Sequence, residues 1–226
     1  MRPAPCPSPA GDVSDAPPGR ECARCPRLGA FRGDNRVRFP AWHNAPVPSF
    51  GSGEAWLLVV GLAPGLRGAN RTGRPFTGDF AGDLLYATLK AFGLARGDYR
   101  AEAEDGLCLH GCRITNAVRC VPPENKPRPE EIRACRPFLQ TEISAMSRLR
   151  AMVALGRVAH ETILTAREMK KSAWPFRHGA MHRLEEGLWL ADSYHCSRYN
   201  TQTGRLTEAM FADVFRRIMT FAAPSD

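Results

Sequence analysis

Short apolar runs alternate with segments of helical periodicity along most of the chain. Short runs of apolar and β-branched residues are typical of buried strands, and four are predicted: residues 56–60, 112–118, 151–156 and 188–193. Apolar spacing and end signals indicate helices, which are predicted over residues 83–92, 129–148, 157–167 and 207–221. This alternation predicts an α/β fold: a three-layer α/β/α arrangement with a central four-stranded, mainly parallel sheet.

The remaining segments show no clear periodicity. Residues 26–55 are predicted to be an irregular lead-in, and residues 170–186 a basic, irregular stretch. Residues 1–20 contain six prolines and almost nothing to bury, so they are predicted to be a disordered tail. Residues 21–226 are then expected to form a single domain.

Three polar segments follow the predicted strands. A glycine-rich loop covers residues 61–79, Asn116 lies near the end of the second strand, and a loop with His195 follows the fourth. The glycine loop matches neither the dinucleotide-binding nor the P-loop spacing. Because ligands bind at the carboxyl ends of strands in open parallel sheets, the three segments are expected to share one active site.

Composition favours a polyanionic partner. The chain has 31 Lys and Arg against 23 Asp and Glu, which gives a formal net charge of +8. No apolar run approaches the roughly 20 residues that span a bilayer, and no signal peptide opens the sequence. We therefore expect a cytoplasmic, nucleoid-associated protein that contacts no membrane.

A Cys-x-x-Cys pair, Cys22 and Cys25, begins the expected domain. With two further ligands, this spacing suits zinc or an iron–sulfur cluster equally well. A redox dithiol is disfavoured because no strand is predicted before Cys22. The candidates for the other two ligands are Cys108, Cys112, Cys120, Cys135 and Cys196.

Three motifs together resemble a known family. They are GLAPGLRGANRTGRPFTGD (61–79), TNAVRC (115–120) and HCSRYNTQTGRLT (195–207). In this order, and with four suitably placed cysteines, they resemble the uracil-DNA glycosylase superfamily, specifically its iron–sulfur type B branch (family 5). The similarity runs from about Cys22 to Phe215. It implies a monofunctional glycosylase that flips uracil out of DNA, hydrolyses its N-glycosidic bond and initiates base excision repair. Type B relatives also accept hypoxanthine and ethenocytosine.

The resemblance also implies roles for individual residues. Phe76 would stack on the extruded base, Asn116 would read its edge, and His195 would stabilise the departing uracil anion. Asp79 would position water or stabilise the sugar, although it also suits the N-cap of the following helix. Gly61 and Ala63 would line the base pocket. The resemblance assigns a 4Fe-4S cluster to four thiolates and leaves Cys108 and Cys112 as spare thiols; the four are Cys22, Cys25, Cys120 and Cys135.

The DNA contacts are expected to come from the last motif and from arginines. Ser197, Arg198 and Tyr199 match the loop that wedges into DNA. The arginines expected to contact phosphates are Arg67, Arg71, Arg74 and Arg119.

Two positions depart from related patterns. Leu62 replaces the Glu of family 4, a lack that type B members share. Cys196 stands where the related His-Pro-Ser motif has its Pro. This replacement puts the rigidity of the loop in doubt and exposes the site to thiol oxidation. Two other readings stay open from sequence: a noncatalytic iron–sulfur DNA-binding module and an electron-transfer protein. A monomer is expected.

Overall fold

The computed structural model describes residues 17–185 and 187–224. Most of the predicted disordered tail, including Cys6, lies outside these residues. The strands are β1 (Leu57–Gly61), β2 (Ala95–Arg96), β3 (Cys108–Leu109), β4 (Cys112–Asn116), β5 (Ala151–Leu155), β6 (Met181–Glu185) and β7 (Leu188–Ser193). The helices are α1 (Pro26–Arg38), α2 (Ala69–Thr72), α3 (Phe80–Ala91), α4 (Pro129–Ala145), α5 (Arg157–Ala166), α6 (Arg198–Gln202) and α7 (Glu208–Ala222).

The main sheet has the strand order β4-β1-β5-β7-β6. The pairs β4–β1, β1–β5 and β5–β7 are parallel, and β6 pairs antiparallel with β7. The sheet is therefore mainly parallel, as predicted, but it has five strands rather than four. The additional strand, β6, lies in the segment predicted to be irregular. It is an edge strand in which only Leu184 is buried, so it carries no apolar alternation.

Each face of the sheet packs against helices. Leu57 and Val59 of β1 join one core cluster with residues of α3 and α7. Leu58 and Val60 face the opposite way and join a second cluster with residues of α4 and α5. This alternation follows from the twofold side-chain period of a strand, and it confirms the three-layer α/β/α architecture.

Helix α1 corrects the prediction of an irregular lead-in over residues 26–55. It begins with Pro26 in its first turn and has Arg36 and Arg38 in its last turn, both favourable end signals. Its buried residues are Leu28, Arg32 and Asn35, two of which are polar. An apolar stripe is therefore missing, and the periodicity that predicts the other helices does not reveal this one.

The carboxyl ends of the parallel strands lie at one edge of the sheet. Gly61 ends β1 opposite Asn116 at the end of β4, and Ser193 ends β7 just before His195. The three polar segments therefore reach the same edge. Among the described residues, no helix is long and apolar enough to cross a bilayer.

Candidate active site

Gly61, Phe76 and Asn116 are in close contact at the sheet edge. A Cβ atom built on Gly61 would lie 2.4 Å from Oδ1 of Asn116 and 2.5 Å from Cζ of Phe76. The ring centroid of Phe76 is 5.9 Å from that of His195, with an interplanar angle of 26°. The structure therefore brings the glycine loop, β4 and the loop after β7 together, as the sequence predicted.

Phe76 is held in an unusual backbone conformation. Its φ of 52° lies in the left-handed region, which costs a bulky residue about 1–3 kcal/mol. The hydroxyl of Tyr99 donates to the carbonyl oxygen of Phe76 at 3.3 Å. A Cβ at Gly82 would lie only 1.9 Å from the same oxygen, so α3 packs tightly beneath this residue. These contacts fix the aromatic ring against Gly61 and Asn116.

Asn116 is 3% exposed and sits at the last position of β4. Its backbone is fixed by pairing with β1. Its carboxamide makes no hydrogen bond to another described residue, although most buried amides do so. A carboxamide carries both a donor and an acceptor, so this side chain has its full hydrogen-bonding capacity available for a ligand.

His195 has a half-buried ring whose Nδ1 atom is buried and has no hydrogen-bond partner among the described residues. Burial lowers the pKa of His195 to about 4, so the imidazole is neutral near pH 7. An unpaired buried lone pair costs less than an unpaired buried N–H, which favours the tautomer protonated at Nε2. Asn200 donates from Nδ2 to the carbonyl oxygen of His195 at 2.8 Å and so fixes the backbone. His195 is thus a neutral hydrogen-bond donor.

Asp79 is the N-cap of α3. Its Oδ1 accepts a hydrogen bond from the backbone N–H of Gly82 at 3.2 Å. Its Oδ2 points back across the glycine loop: a Cβ at Gly68 would lie 2.3 Å from it and one at Gly65 3.0 Å. Burial raises the pKa of Asp79, while the backbone N–H groups of Gly82 and Ala81 oppose the shift. One oxygen therefore caps the helix, and the other stays with the loop.

The helix α6 presents the residues of the last motif. Ser197 is its N-cap and accepts a hydrogen bond from the N–H of Asn200. Tyr199 is 70% exposed, and the guanidinium of Arg198 lies 5.4 Å above the ring of Phe80. An exposed aromatic and an exposed cation on one short helix beside the pocket suit insertion into a duplex.

Cys196 is fully buried in the position of the familiar proline. Its Sγ lies 3.4 Å from the carbonyl oxygen of Ala81, where it packs against the start of α3. Burial raises the pKa of this thiol. Because the thiolate is the reactive form, oxidation of Cys196 is disfavoured. The residue fixes its loop by packing instead of by a proline ring.

Two of the predicted phosphate contacts are wrong. Arg74 is 4% exposed and forms two 2.7 Å hydrogen bonds with the carboxylate of Asp105. Arg119 is 3% exposed and pairs with Glu142 at 2.5 Å. Both guanidinium groups are internal and cannot reach DNA.

The other two arginines of the glycine loop remain at the surface. Arg71 is partly exposed and pairs with Glu102 at 2.8 Å, and Arg67 is exposed. The side chain of Ala63 packs against the cysteine cluster described below.

A cavity beside His195 was not predicted from sequence. Its volume is about 340 Å³, and it includes the exposed arginines Arg157, Arg177 and Arg205 in its lining. The guanidinium of Arg205 stacks over Tyr194 at 4.5 Å. We call this the arginine cavity. The available signal was Arg157, which begins α5 and is separated from the carboxyl end of β5 by one residue, but the other two arginines come from distant segments.

Four thiols line one small cavity between α1, α4 and the loop after β4. They are those of Cys22, Cys25, Cys120 and Cys135. The backbone N–H of Arg119 donates to Sγ of Cys135 at 3.3 Å, which is typical of a metal-bound thiolate. Cys108 and Cys112 belong to β3 and β4 and do not line this cavity. The structure therefore brings together the four cysteines that the resemblance selected.

A second group of metal-ligating side chains was missed from sequence. Ligand atoms of His160, His182 and Asp192 lie within 4.8 Å of one another, the closest such group among the described residues. Nδ1 of His160 lies 2.6 Å from Oδ1 of Asp192, and Nε2 of His160 lies 2.8 Å from the carbonyl oxygen of Trp174. Nε2 of His182 lies 3.0 Å from Oδ2 of Asp192. These contacts form a hydrogen-bonded network that ties β7 to the segment carrying Arg177.

Comparison with known proteins agrees with the site. A model of the Uracil DNA glycosylase superfamily matches residues 48–218. A type-5 uracil-DNA glycosylase of Thermus thermophilus is 50% identical over 85% of this chain and 90% of its own length. One from Mycobacterium bovis is 43% identical over 89% of this chain and 78% of its own length. A type-4 uracil-DNA glycosylase of Archaeoglobus fulgidus is 33% identical over 62% of each chain. The chain therefore belongs to the uracil DNA glycosylase superfamily, in its type-5 branch.

Proposed function

We propose that this protein is a monofunctional DNA glycosylase that hydrolyses the N-glycosidic bond of uracil in DNA and so initiates base excision repair. The observation that carries the proposal is the convergence of Phe76, Asn116 and His195 at one sheet edge, with Asp79 on the same loop as Phe76. The type-5 relatives, whose names state uracil-DNA glycosylase activity, support the same reaction.

Recognition of the base falls to Phe76, Asn116 and Gly61. A base inside a duplex must be flipped out before its glycosidic bond can be reached, and an aromatic face receives it by stacking. The free carboxamide of Asn116 can donate to O4 of uracil and accept from its N3–H. Gly61 has no side chain, so Asn116 and Phe76 can approach each other closely.

Departure of the base is assisted by His195. As the bond between C1′ and N1 breaks, its electron pair moves onto uracil, and the sugar becomes oxocarbenium-like. The Nε2–H of neutral His195 can donate to O2 of the departing uracil and stabilise the developing negative charge. Because the imidazole is neutral near pH 7, it stabilises the anion by donating a hydrogen bond without transferring its proton.

Water completes the reaction at C1′. Leu62 cannot orient water, whereas Oδ2 of Asp79 lies in the glycine loop away from the helix that Oδ1 caps. Asp79 accepts one proton as the water oxygen bonds to C1′, and its negative charge also stabilises the cationic sugar. The products are free uracil and an abasic site. Because water and not an amine attacks C1′, no Schiff base forms and the DNA strand remains intact.

The DNA is bound through α6, the glycine loop and the arginine cavity. We assign Ser197, Arg198 and Tyr199 to the gap left by the flipped nucleotide. Arg71 and the three arginines of the cavity contact backbone phosphates. The cavity has the charge for this role because its arginines are exposed and lie beside His195.

The four cysteines of the small cavity hold a 4Fe-4S cluster. A zinc ion bound by four thiolates would bring the sulfur atoms within about 4 Å of one another. No three of these sulfur atoms meet even the 4.8 Å spacing of the His160 group among the described residues. The wider spacing supports a larger metal group. Hydrolysis needs no electron transfer, so the cluster serves to join α1, α4 and the loop after β4.

Several finer assignments complete the proposal. Residues 21–226 form one domain, and the protein acts as a monomer on nucleoid DNA in the cytoplasm. We also expect excision of hypoxanthine and ethenocytosine, as the resemblance to type B enzymes implies.

The test is strand scission by alkali of a uracil-containing duplex after incubation with the enzyme in EDTA. We expect cleavage at uracil by the wild type and a loss of about 10²-fold or more in His195→Ala. His110→Ala is the matched control, because His110 precedes β4 at the opposite sheet edge, and it should cleave normally. A wild type that cuts neither uracil, hypoxanthine nor ethenocytosine would refute the enzyme and leave a noncatalytic DNA-binding module.

A further inference from the structure

Arg32 is buried in α1 beside the cysteine cavity. Arg32 is only 6% exposed, yet its guanidinium carries a full positive charge. Nη1 donates to Sγ of Cys120 at 3.3 Å, and Nη2 donates to the carbonyl oxygen of Cys22 at 3.0 Å. Its Nε is buried without a hydrogen-bond partner among the described residues. The side chain thus bridges two of the four cysteine segments.

Among the described residues, no carboxylate forms an ion pair with Arg32, and the exposed Glu21 acts on it only at longer range. On the same helix, Arg27 pairs with Glu131 at 2.7 Å and Arg36 pairs with Glu21 at 2.8 Å. An isolated buried charge costs several kcal/mol, so Arg32 needs a negative group nearby. The thiolates of the cysteine cavity are the nearest candidates, since Nη1 already contacts one sulfur atom.

The guanidinium of Arg32 reaches two different cysteines. Nη1 contacts the sulfur atom of Cys120, and Nη2 contacts the backbone of Cys22. Arg119 donates its backbone N–H to Sγ of Cys135, and its guanidinium is paired with Glu142. Among the described residues, Arg32 is the arginine whose guanidinium donates to one of the four cysteine sulfur atoms.

We propose that Arg32 is a positioning residue of the iron–sulfur cluster, acting as the buried counter-charge of its thiolates and as a hydrogen-bond donor to the Cys120 sulfur. The inference rests on the proposed cluster. A cluster held by four thiolates is anionic, so a buried cation beside it makes the addition of an electron more favourable and raises the reduction potential. The bond to the Cys22 carbonyl also holds the Cys22–Cys25 loop closed over the cluster.

The experiment measures the midpoint potential of the purified holoprotein by redox titration followed by electron paramagnetic resonance. Arg32→Met removes both the charge and the hydrogen-bond donors, and Arg32→Gln keeps a donor without the charge. Arg32→Lys keeps the charge without the branched guanidinium group. We expect a more negative potential for the Met and Gln variants and a value near wild type for Lys. The Met variant should also lose iron faster to a chelator.

Arg38→Met is the matched control. Arg38 is exposed at the far end of α1, about 20 Å along the helix axis from Cys25, and its loss should leave the potential unchanged. The proposal is overturned if Arg32→Met leaves the potential unchanged, or if Arg38→Met lowers it equally. Where Arg32→Met does not fold, the Lys and Gln variants decide.

Assays of iron and acid-labile sulfide in the wild-type protein distinguish a failure of the proposed cluster from a failure of the proposed glycosylase activity. Protein that excises uracil but contains neither would overturn the cluster and the role of Arg32 while leaving the glycosylase intact.

Discussion

Asp79 uses its two carboxylate oxygens in different ways. Oδ1 caps α3, and Oδ2 lies among the glycines of the loop. A cap needs only an acceptor, whereas activation of water needs a base. The amide of asparagine supplies the acceptor and lacks the basicity, so it separates the two roles.

We predict that Asp79→Asn keeps the stability of the wild type within about 0.5 kcal/mol, because asparagine is as good an N-cap as aspartate. Its single-turnover excision rate should fall by about 10²-fold or more. Asp79→Ala should lose the same activity and also about 1 kcal/mol of stability. Urea unfolding and single-turnover kinetics check both. An Asp79→Asn variant as fast as wild type would reduce Asp79 to a helix cap.

His195 gives the fold a specific sensitivity to acid. Its pKa is about 4 when folded and about 6.5 in an unfolded chain. Between these values the unfolded state binds more protons, so stability falls as pH drops through this window and is unaffected above it. We predict that His195→Gln removes this part of the acid sensitivity. Urea midpoints at about pH 7 and about pH 5 would test this, and equal losses in both proteins would contradict it.

Sequence reasoning located the residues of the pocket better than those that support it. Asn116 and His195 follow recognisable strands, so the end of each strand predicts their position. Arg74 and Arg119 also lie in the motifs, but their partners Asp105 and Glu142 are distant in sequence. Only the folded chain shows that these cations are buried. The network of His160 and Asp192 was missed for the same reason.

At the scale of elements, the junction between β1 and β4 sets the geometry of the pocket. Gly61 ends β1 and is paired with Asn116 at the end of β4. Its missing side chain allows Asn116 and Phe76 to approach the backbone closely, since a Cβ there would lie within 2.5 Å of both. The glycine is required for space, because its φ is outside the left-handed range.

We predict that Gly61→Ala displaces Asn116 and Phe76 and lowers the excision rate by about 10²-fold, the cost of roughly 1 Å of misplacement. Stability should fall by about 1–3 kcal/mol from overpacking. Gly33→Ala is the control, because a Cβ on this glycine of α1 meets nothing within 4 Å. It should keep the wild-type rate and gain up to about 1 kcal/mol. A fully active Gly61→Ala would show that the pocket tolerates the displacement.

The elements that sequence reasoning missed share one property. Both α1 and β6 bury few apolar side chains, and α1 is held by polar contacts such as those of Arg32 and Asn35. Hydrophobic periodicity reports only elements that bury an apolar face. The elements with strong apolar periodicity, such as β1, β5 and α7, were predicted within a few residues of their observed bounds.

At the scale of the whole molecule, the net charge of +8 predicts a polyanionic partner but gives no location for it. The fold supplies the location by assembling Arg157, Arg177 and Arg205 from three separate segments beside His195. Their exposure distinguishes them from Arg74 and Arg119, which are equally basic but internal. The positive surface therefore coincides with the edge where the base must enter.

This coincidence predicts the salt dependence of DNA binding. Each arginine that contacts a phosphate releases counterions, so Arg157→Ala should make the slope of log K against log salt shallower by about 1. Because phosphate contacts carry no base information, affinity should fall equally for duplexes with and without uracil. The single-turnover rate at saturating enzyme should stay near wild type. Fluorescence anisotropy over a series of salt concentrations measures the slope.

Lys90→Ala provides the comparison for that slope. Lys90 is exposed in the last turn of α3, about 16 Å along the axis from the helix start that Asp79 caps. Its removal deletes one positive charge from the molecule without touching the arginine cavity, so the slope should be unchanged. If both variants change the slope equally, the long-range field of the protein, and not contact in the cavity, accounts for binding, and the assignment of the cavity to phosphates is wrong.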